Sequence, residues 1–538
     1  MAAAIIGLIV ASCSSVSKMA EMAENVKVES NPAVLEVIAG KIDATVSVTY
    51  PSKYFHPKAI LEVTPVIVYD GGEAKMEPFM YQGSKVKDNY TVVSSEGQTV
   101  TEKVHFDYVE GMEKARLELR GVVKYKKKTV NLPVKKVADG CNTTYMLVEK
   151  DAYVPMMKDD YQEIIKQTAE GQILYSINSS DVRAKELKSK SIKDFQSALD
   201  EIKKDDRKTI TGTEVVAYAS PDGGEELNQK LSKKRSETAD KAFSSVTKGK
   251  DVSKAEVKSI GQDWEGFQSL VSKSGIEDRD LIIRVLNMYS DPAVREREIK
   301  NMSQIYTSLK SNVLPELRRA RFIANVEYKN FTAQELNELV NENIDVLDEE
   351  ALLRAASLTK KAEDKINIYN HAISKFDSDR ALFNLGVVYL ENGDAAKAEE
   401  AFNKVQNTGA ELDNAKGAVA LMKGDYNAAS ALFKKSGTDA AKQNQAIIDI
   451  LSGNYTAAAK ALEGKKGFNP ALAQLLVKNN DKALSALTCQ CPRSNYLRAV
   501  IYARKGDAEN VAKYLDLAKK DQKYAARAEK DIEFAQYK

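Results

Sequence analysis

The C-terminal third of the chain repeats itself, and nothing else in the sequence restricts its fold as strongly. Gly393, Ala398 and Phe402 recur 31 residues later as Gly424, Ala429 and Phe433, and again 29 residues on as Gly453, Ala458 and Leu462. Ala499, Tyr502, Gly506, Val511 and Leu515 close the series. A period of about 30 residues in an alanine-rich stretch predicts helix pairs that stack on their neighbours, because one pair alone cannot bury its apolar face. Small residues at these positions let the paired helices approach closely, and Tyr389 and Phe402 fill the gaps between them. The array takes residues 344–538, so a chain of 538 residues has room for further domains before it.

Two such domains are legible. Residues 26–150 carry short β-branched and aromatic runs at 44–50, 59–69, 91–94, 103–108, 115–125 and 129–134, with turn signals at Asp70-Gly71-Gly72 and Ser94-Ser95-Glu96-Gly97. That spacing predicts an antiparallel β-sandwich. Lys124, Lys126, Lys127 and Lys128 cluster on it, as a charged edge or as a patch for an anionic partner. Residues 160–330 alternate types: strands at 172–178, 209–220, 254–260 and 319–328, and helices at 191–204 and 225–244, the latter with Leu227, Leu231, Ala239, Ala242 and Phe243 on one face. A helical stretch at 264–317 reads as an insertion in a β-α-β-α-β domain. The fold class is therefore multidomain α+β: a sandwich, a mixed domain and an all-α solenoid.

The extreme N-terminus is an apolar run too short to span a bilayer as a helix, which reads as a signal-peptide core over residues 1–12. Val10-Ala11-Ser12-Cys13 resembles the bacterial lipobox, although the usual basic segment before it is missing. The resemblance implies acylation of Cys13, a tether over residues 13–25, and anchorage in a membrane by acyl chains at about 0.8 kcal/mol per buried CH₂. Ser14-Ser15-Val16-Ser17-Lys18 lacks the acidic cluster of surface-exported lipoproteins in Bacteroidetes-type bacteria, which implies the periplasmic face of the outer membrane.

Two further resemblances rest on motifs. Residues 215–224, Val-Val-Ala-Tyr-Ala-Ser-Pro-Asp-Gly-Gly, followed by Asn228-Gln229-Lys230-Leu231-Ser232-Lys233-Lys234-Arg235, are similar to the peptidoglycan-binding domain of the OmpA C-terminal family, and Leu317-Arg318-Arg319-Ala320-Arg321 resembles that family's last segment. The resemblance implies a receptor for the zwitterionic end of diaminopimelate, with Arg235 on the carboxylate and Asn228 in the same site. Ser220 stands where the family has an aspartate for the ammonium; Asp222 can take its place, or Arg235 pairs with Asp222 in a retained scaffold. In the repeats, Leu382, Leu385, Gly386, Tyr389, Gly393, Ala398 and Phe402 match the tetratricopeptide pattern, which implies a concave surface holding a peptide or protein, with no specificity residue legible.

Composition narrows the functions. Hydrophobic residues at 43% and charged residues at 29% are ordinary for folded domains, and 79 basic against 77 acidic residues leave a net charge of +2, with no global field for nucleic acid. Three histidines, His56, His105 and His371, stand in unrelated contexts, and no phosphate loop, zinc helix or nucleophile elbow occurs. Cys141, Cys489 and Cys491 read as inert thiols, with Cys489-Gln490-Cys491 a weak redox or metal pair. The expectation is thus a non-enzymatic lipoprotein without cofactor or metal, whose partners are peptidoglycan, subunits of an outer-membrane assembly and, through its anchor, the membrane. The alternative is an adaptor of a secretion, insertion or transport complex that does not touch the wall.

Overall fold

The computed structural model describes residues 16–276, 279–301 and 303–537. The signal segment and Cys13 lie outside the described residues. The chain divides into two compact units: residues 1–157 together with 365–538, and residues 158–364. The first unit joins the β region to the repeats, which stand far apart in the sequence.

In that first unit, β1 (Lys27–Asn31), β2 (Val34–Ile38), β3 (Lys41–Tyr50), β4 (Ile60–Tyr69), β5 (Gly72–Lys75), β6 (Phe79–Gly83), β7 (Thr91–Val93), β8 (Gln98–Asp107), β9 (Ala115–Tyr125), β10 (Lys128–Asn131) and β11 (Lys135–Asn142) form one continuous hydrogen-bonded system. β1, β3 and β8 make one layer; β11, β9, β4, β6 and β7 make the other, with β5 paired to β4 and β10 to β9. β2 passes between layers, antiparallel to β3 at Val37 and Ile38 and parallel to β11 at Val34–Glu36. Alternation places Ile42, Ala44, Val46 and Val48 of β3 against Leu117, Leu119 and Val123 of β9 in one core. Across the layers, the Tyr50 and Tyr81 rings meet at 6.1 Å, and the Tyr81 hydroxyl donates to Glu102 at 3.1 Å. The β11–β2 and β6–β7 pairs are parallel, so the sandwich is not wholly antiparallel as expected.

Residues 16–25, expected as part of a tether, are folded instead. Helix α1 (Ser17–Glu21) packs against β10, and Val16 and Met19 are fully buried. Val16, Met19 and Ala23, buried three in ten residues, bind this segment to the sandwich.

The repeats form helix pairs 379–391/395–404, 410–422/426–436, 439–451/455–461, 468–476/480–486 and 492–505/508–518. Their glycines serve two purposes that the period alone does not separate. Gly393, Gly424, Gly453 and Gly506 have φ between +74° and +82°, the left-handed conformation that turns one helix into the next. Gly386 and Gly417 are the close-packing residues: a Cβ there would lie 2.5 Å from the Phe402 ring and 2.6 Å from the Phe433 ring. Gly386→Ala is therefore expected to cost about 1–3 kcal/mol by overpacking and to be relieved by Phe402→Leu. Gly393→Ala should cost about 1 kcal/mol from backbone strain alone, with no such relief. Urea denaturation of the four proteins measures both.

The second unit is built on a four-stranded sheet in the order β12 (Ile164–Leu174), β15 (Arg319–Lys329), β13 (Lys208–Ala219), β14 (Glu256–Gln262). β15 is antiparallel to both neighbours, and β13 and β14 are parallel. Helices α2 (Lys190–Lys204) and α3 (Glu225–Val246) cover one face, with Phe195, Leu199, Phe243 and Phe322 at the centre of their core. Helices from α4 (Trp264–Lys273) to residue 317 form the insertion around a core of their own, Phe267, Val271, Ile282, Leu286 and Leu309. The expected face of α3 holds at its C-terminal half, where Ala239, Ala242 and Phe243 are buried, but at its start Leu227 is exposed and Asn228, Ser232 and Arg235 point inward instead, Asn228 and Arg235 donating to main-chain carbonyls and Ser232 accepting from the Gly261 amide.

Candidate functional site

Two places bring recognition chemistry together, one in each unit. In the first unit an extended segment, residues 149–157, runs along the first helices of the repeats in the opposite direction to the array. Asn469 accepts from the Glu149 amide and donates to the Glu149 carbonyl, both at 2.8 Å. Asn444 holds Tyr153 in the same way at 2.8 and 2.9 Å, reinforced by Asn414 donating to the Tyr153 carbonyl at 3.2 Å. Asn384 holds Met157 at 2.7 and 2.9 Å. The three gripped residues are four apart, and the asparagines take each by its main chain. A carboxamide suits this, because its carbonyl and amino groups match one peptide N–H and one C=O.

Asn384, Asn414 and Asn444 are buried and spaced 30 residues apart, one per repeat, and Asn444 also donates to Asn414 at 2.9 Å. Between the clamps, Val154 enters the core made by Phe383, Val387, Leu390 and Val405, and Glu149 pairs with Arg493. The surface expected to hold a partner therefore holds the chain's own segment. The asparagines were not legible as specificity residues; their recurrence at 30 residues was the available signal.

In the second unit, Ser220, Asp222, Asn228 and Arg235 do converge, at the end of β13 and the start of α3. They do not form an open receptor. Arg235 has no exposed surface: Nε donates to the Ser179 carbonyl at 2.9 Å, Nη1 to Tyr218 at 2.9 Å and Nη2 to Ser176 at 3.2 Å, with the guanidinium 5.0 Å from the Tyr175 ring centre. Burial lowers its pKa to about 10, against the Tyr175 oxygen, which raises it. Asp222 pairs with Arg318 at 3.2 Å rather than with Arg235, correcting that expectation, and accepts from the Ser220 hydroxyl. Arg318 also donates to Ser220 Oγ at 3.3 Å, and Asn228 donates to the Ser220 and Gly223 carbonyls at 3.1 and 2.7 Å.

The insertion closes over this loop. Trp264, Ile299, Lys300, Tyr306 and Leu309 surround Pro221 and Asp222 and leave about 10 Å³, too little for more than one water. A larger hollow nearby, about 440 Å³, is lined by charges already paired with each other, Arg319 with Asp263 at 2.9 Å and Arg321 with Glu170 at 2.6 Å.

Elsewhere, His105 pairs with Asp43 at 2.6 Å, His56 meets the Tyr125 ring edge-on at 4.8 Å, and His371 sits in helix Ala362–Phe376. Cys489 and Cys491 are disulfide-bonded, not the free thiols expected, and Cys141 is a buried thiol. Among the described residues no cluster could hold a metal ion, and no helix is long and apolar enough to cross a membrane.

Residues 379–407 match the tetratricopeptide repeat family. Similar solved structures include a tetratricopeptide repeat protein from Parabacteroides merdae (16% identity, 37% of this chain and 91% of that chain, TM-score 0.30). The Cut9–Hcn1 hetero-tetramer of the APC/C matches at 10% identity over 67% of this chain and 78% of that chain, TM-score 0.31. YrrB, a TPR protein with an unusual peptide-binding site, matches at 17% over 37% of this chain and all of its own, TM-score 0.21. No curated protein matches the chain.

Proposed function

We propose that this chain, which contains tetratricopeptide repeats and so belongs among protein-interaction scaffolds, is a non-enzymatic adaptor of an outer-membrane protein assembly, held at the periplasmic face through acylated Cys13. Three features support the reading. The lipobox-like Val10–Cys13 supplies the anchor. The β13–α3 motif and the four-stranded sheet of the second unit fit an OmpA-like fold. The repeats grip an extended backbone by its peptide groups.

The adaptor reading is preferred over a wall anchor because of Arg235. A receptor for diaminopimelate needs a free carboxylate and a free guanidinium fork, whereas every Arg235 nitrogen is bonded to a main-chain carbonyl and Asp222 is paired with Arg318. The OmpA-like unit then serves as a rigid body within the assembly. Purified protein mixed with isolated peptidoglycan is expected to sediment no better than an unrelated control protein, and Asp222→Asn should change nothing. Saturable retention abolished by Asp222→Asn would reinstate the wall anchor. In-cell cross-linking from exposed repeat positions is expected to recover outer-membrane proteins.

A further inference from the structure

Lysines crowd one end of the sandwich. The β9–β10 turn carries Lys124, Lys126, Lys127 and Lys128, all exposed. The loops beside it add Lys58 and Lys85: the Lys85 amide donates to the Pro57 carbonyl at 2.8 Å, and the neighbouring His56 ring lies 4.8 Å from Tyr125. Acidic groups at this end are fewer. Glu62 is neutralised by Lys124, and Glu21, Glu24, Asp88 and Glu96 remain against the lysines. The opposite end carries Asp107, Glu110 and Glu113, and there the sandwich meets the repeats, with Asn142 and Thr144 both donating to Glu533 at 2.8 and 2.9 Å.

The described chain also begins at the basic end. β1 starts at Lys27 opposite Thr49, near the close of β3, and α1 before it packs on β10 beside the lysine turn. Val16 is buried there, and Cys13 precedes it by three residues in the sequence.

We propose that this end of the sandwich rests on an anionic bilayer, its lysines against lipid phosphates beside the point where the acyl chains enter. The inference builds on acylation of Cys13 but concerns a separate contact. One acyl signal and one polybasic patch together fix both residence and orientation, so the repeats, at the far end of the sandwich, would project away from the membrane.

The test uses the full chain without its leader and with Cys13→Ser, so that no acyl group contributes. Vesicles of phosphatidylcholine alone and of phosphatidylcholine with phosphatidylglycerol are floated with the protein at low and high salt. Flotation is expected with the anionic vesicles only, and salt should weaken it. Combining Lys126→Gln, Lys127→Gln and Lys128→Gln should weaken binding on the order of 100-fold, while Lys41→Gln, Lys75→Gln and Lys114→Gln at the opposite end should not. Equal binding to neutral vesicles, equal loss in both variants, or binding of short-chain polyphosphate without binding of vesicles would overturn the proposal. The mass of Cys13 in protein extracted from envelopes tests the anchor independently.

Discussion

Arg235→Ala is expected to lower the melting temperature of residues 158–364 by roughly 10 °C, followed by the fluorescence of Trp264, the single tryptophan of the chain, which lies in this unit. The substitution removes a buried side chain and takes the guanidinium donor from the carbonyls of Ser176, Ser179 and Tyr218, of which Ser176 still accepts from the Ser179 amide. Buried unsatisfied groups cost about 1–3 kcal/mol each, partly offset because a desolvated cation disappears, so a net loss of about 3–4 kcal/mol is expected. Arg235→Lys should recover little, since one ammonium cannot reach three carbonyls set apart for a planar fork. The prediction separates two roles for the same residue. An arginine waiting for a ligand is exposed, and its loss changes stability by less than about 0.5 kcal/mol. An unchanged melting curve would therefore show that Arg235 is not the internal brace described above, and the case for a closed receptor would fall with it.

The different fates of these residues show what the sequence could reveal. Helix pairs were legible because Gly, Ala and Phe recur with the period of the array, and strand β9 was legible at both ends because Ala115, Leu117, Leu119, Val123 and Tyr125 recur at even spacing from its first residue to its last. β1, β2, β5, β6 and β11 were not. They are short or lack a run of β-branched residues, and their pairing with distant strands makes them strands. Arg235 was recognisable from its motif, but its partners are backbone carbonyls, which leave no trace in residue identity. The covering of the Pro221–Asp222 loop depends on Lys300 and Tyr306, about 80 residues from Asp222 in a segment whose helices show no relation to the loop they cover. The asparagine clamps were present as a 30-residue recurrence. An asparagine on a helix reads as a solvated or capping residue until the backbone it grips is known, and residues 149–157 carry no periodicity that would mark them as the occupant.

That occupant yields the other large effect. Combining Asn414→Ala with Asn444→Ala is expected to free Tyr153, accelerating hydrogen exchange of its amide by roughly 30- to 1,000-fold, as befits about 2–4 kcal/mol of lost local stability. Exchange at Glu149 and Met157 should rise less, because Asn469 and Asn384 still hold them. Trypsin should then cut at Lys150, which the intact clamps protect. Asn444→Asp adds a sign that simple loss of packing cannot produce. The carboxylate keeps an acceptor for the Tyr153 amide but sets a second oxygen against the Tyr153 carbonyl and Asn414 Oδ1, where Asn444 now donates. The folded form would then hold its proton to higher pH than the unfolded chain, so the defect should be full at neutral pH and shrink as pH falls through the carboxylate range. A defect that does not vary with pH, or amides at Glu149, Tyr153 and Met157 that exchange freely in the unaltered protein, would mean that the segment is not held by these clamps. If it is held, a partner peptide can enter the groove only by displacing residues 149–157, and the repeats would otherwise meet other proteins through their outer faces.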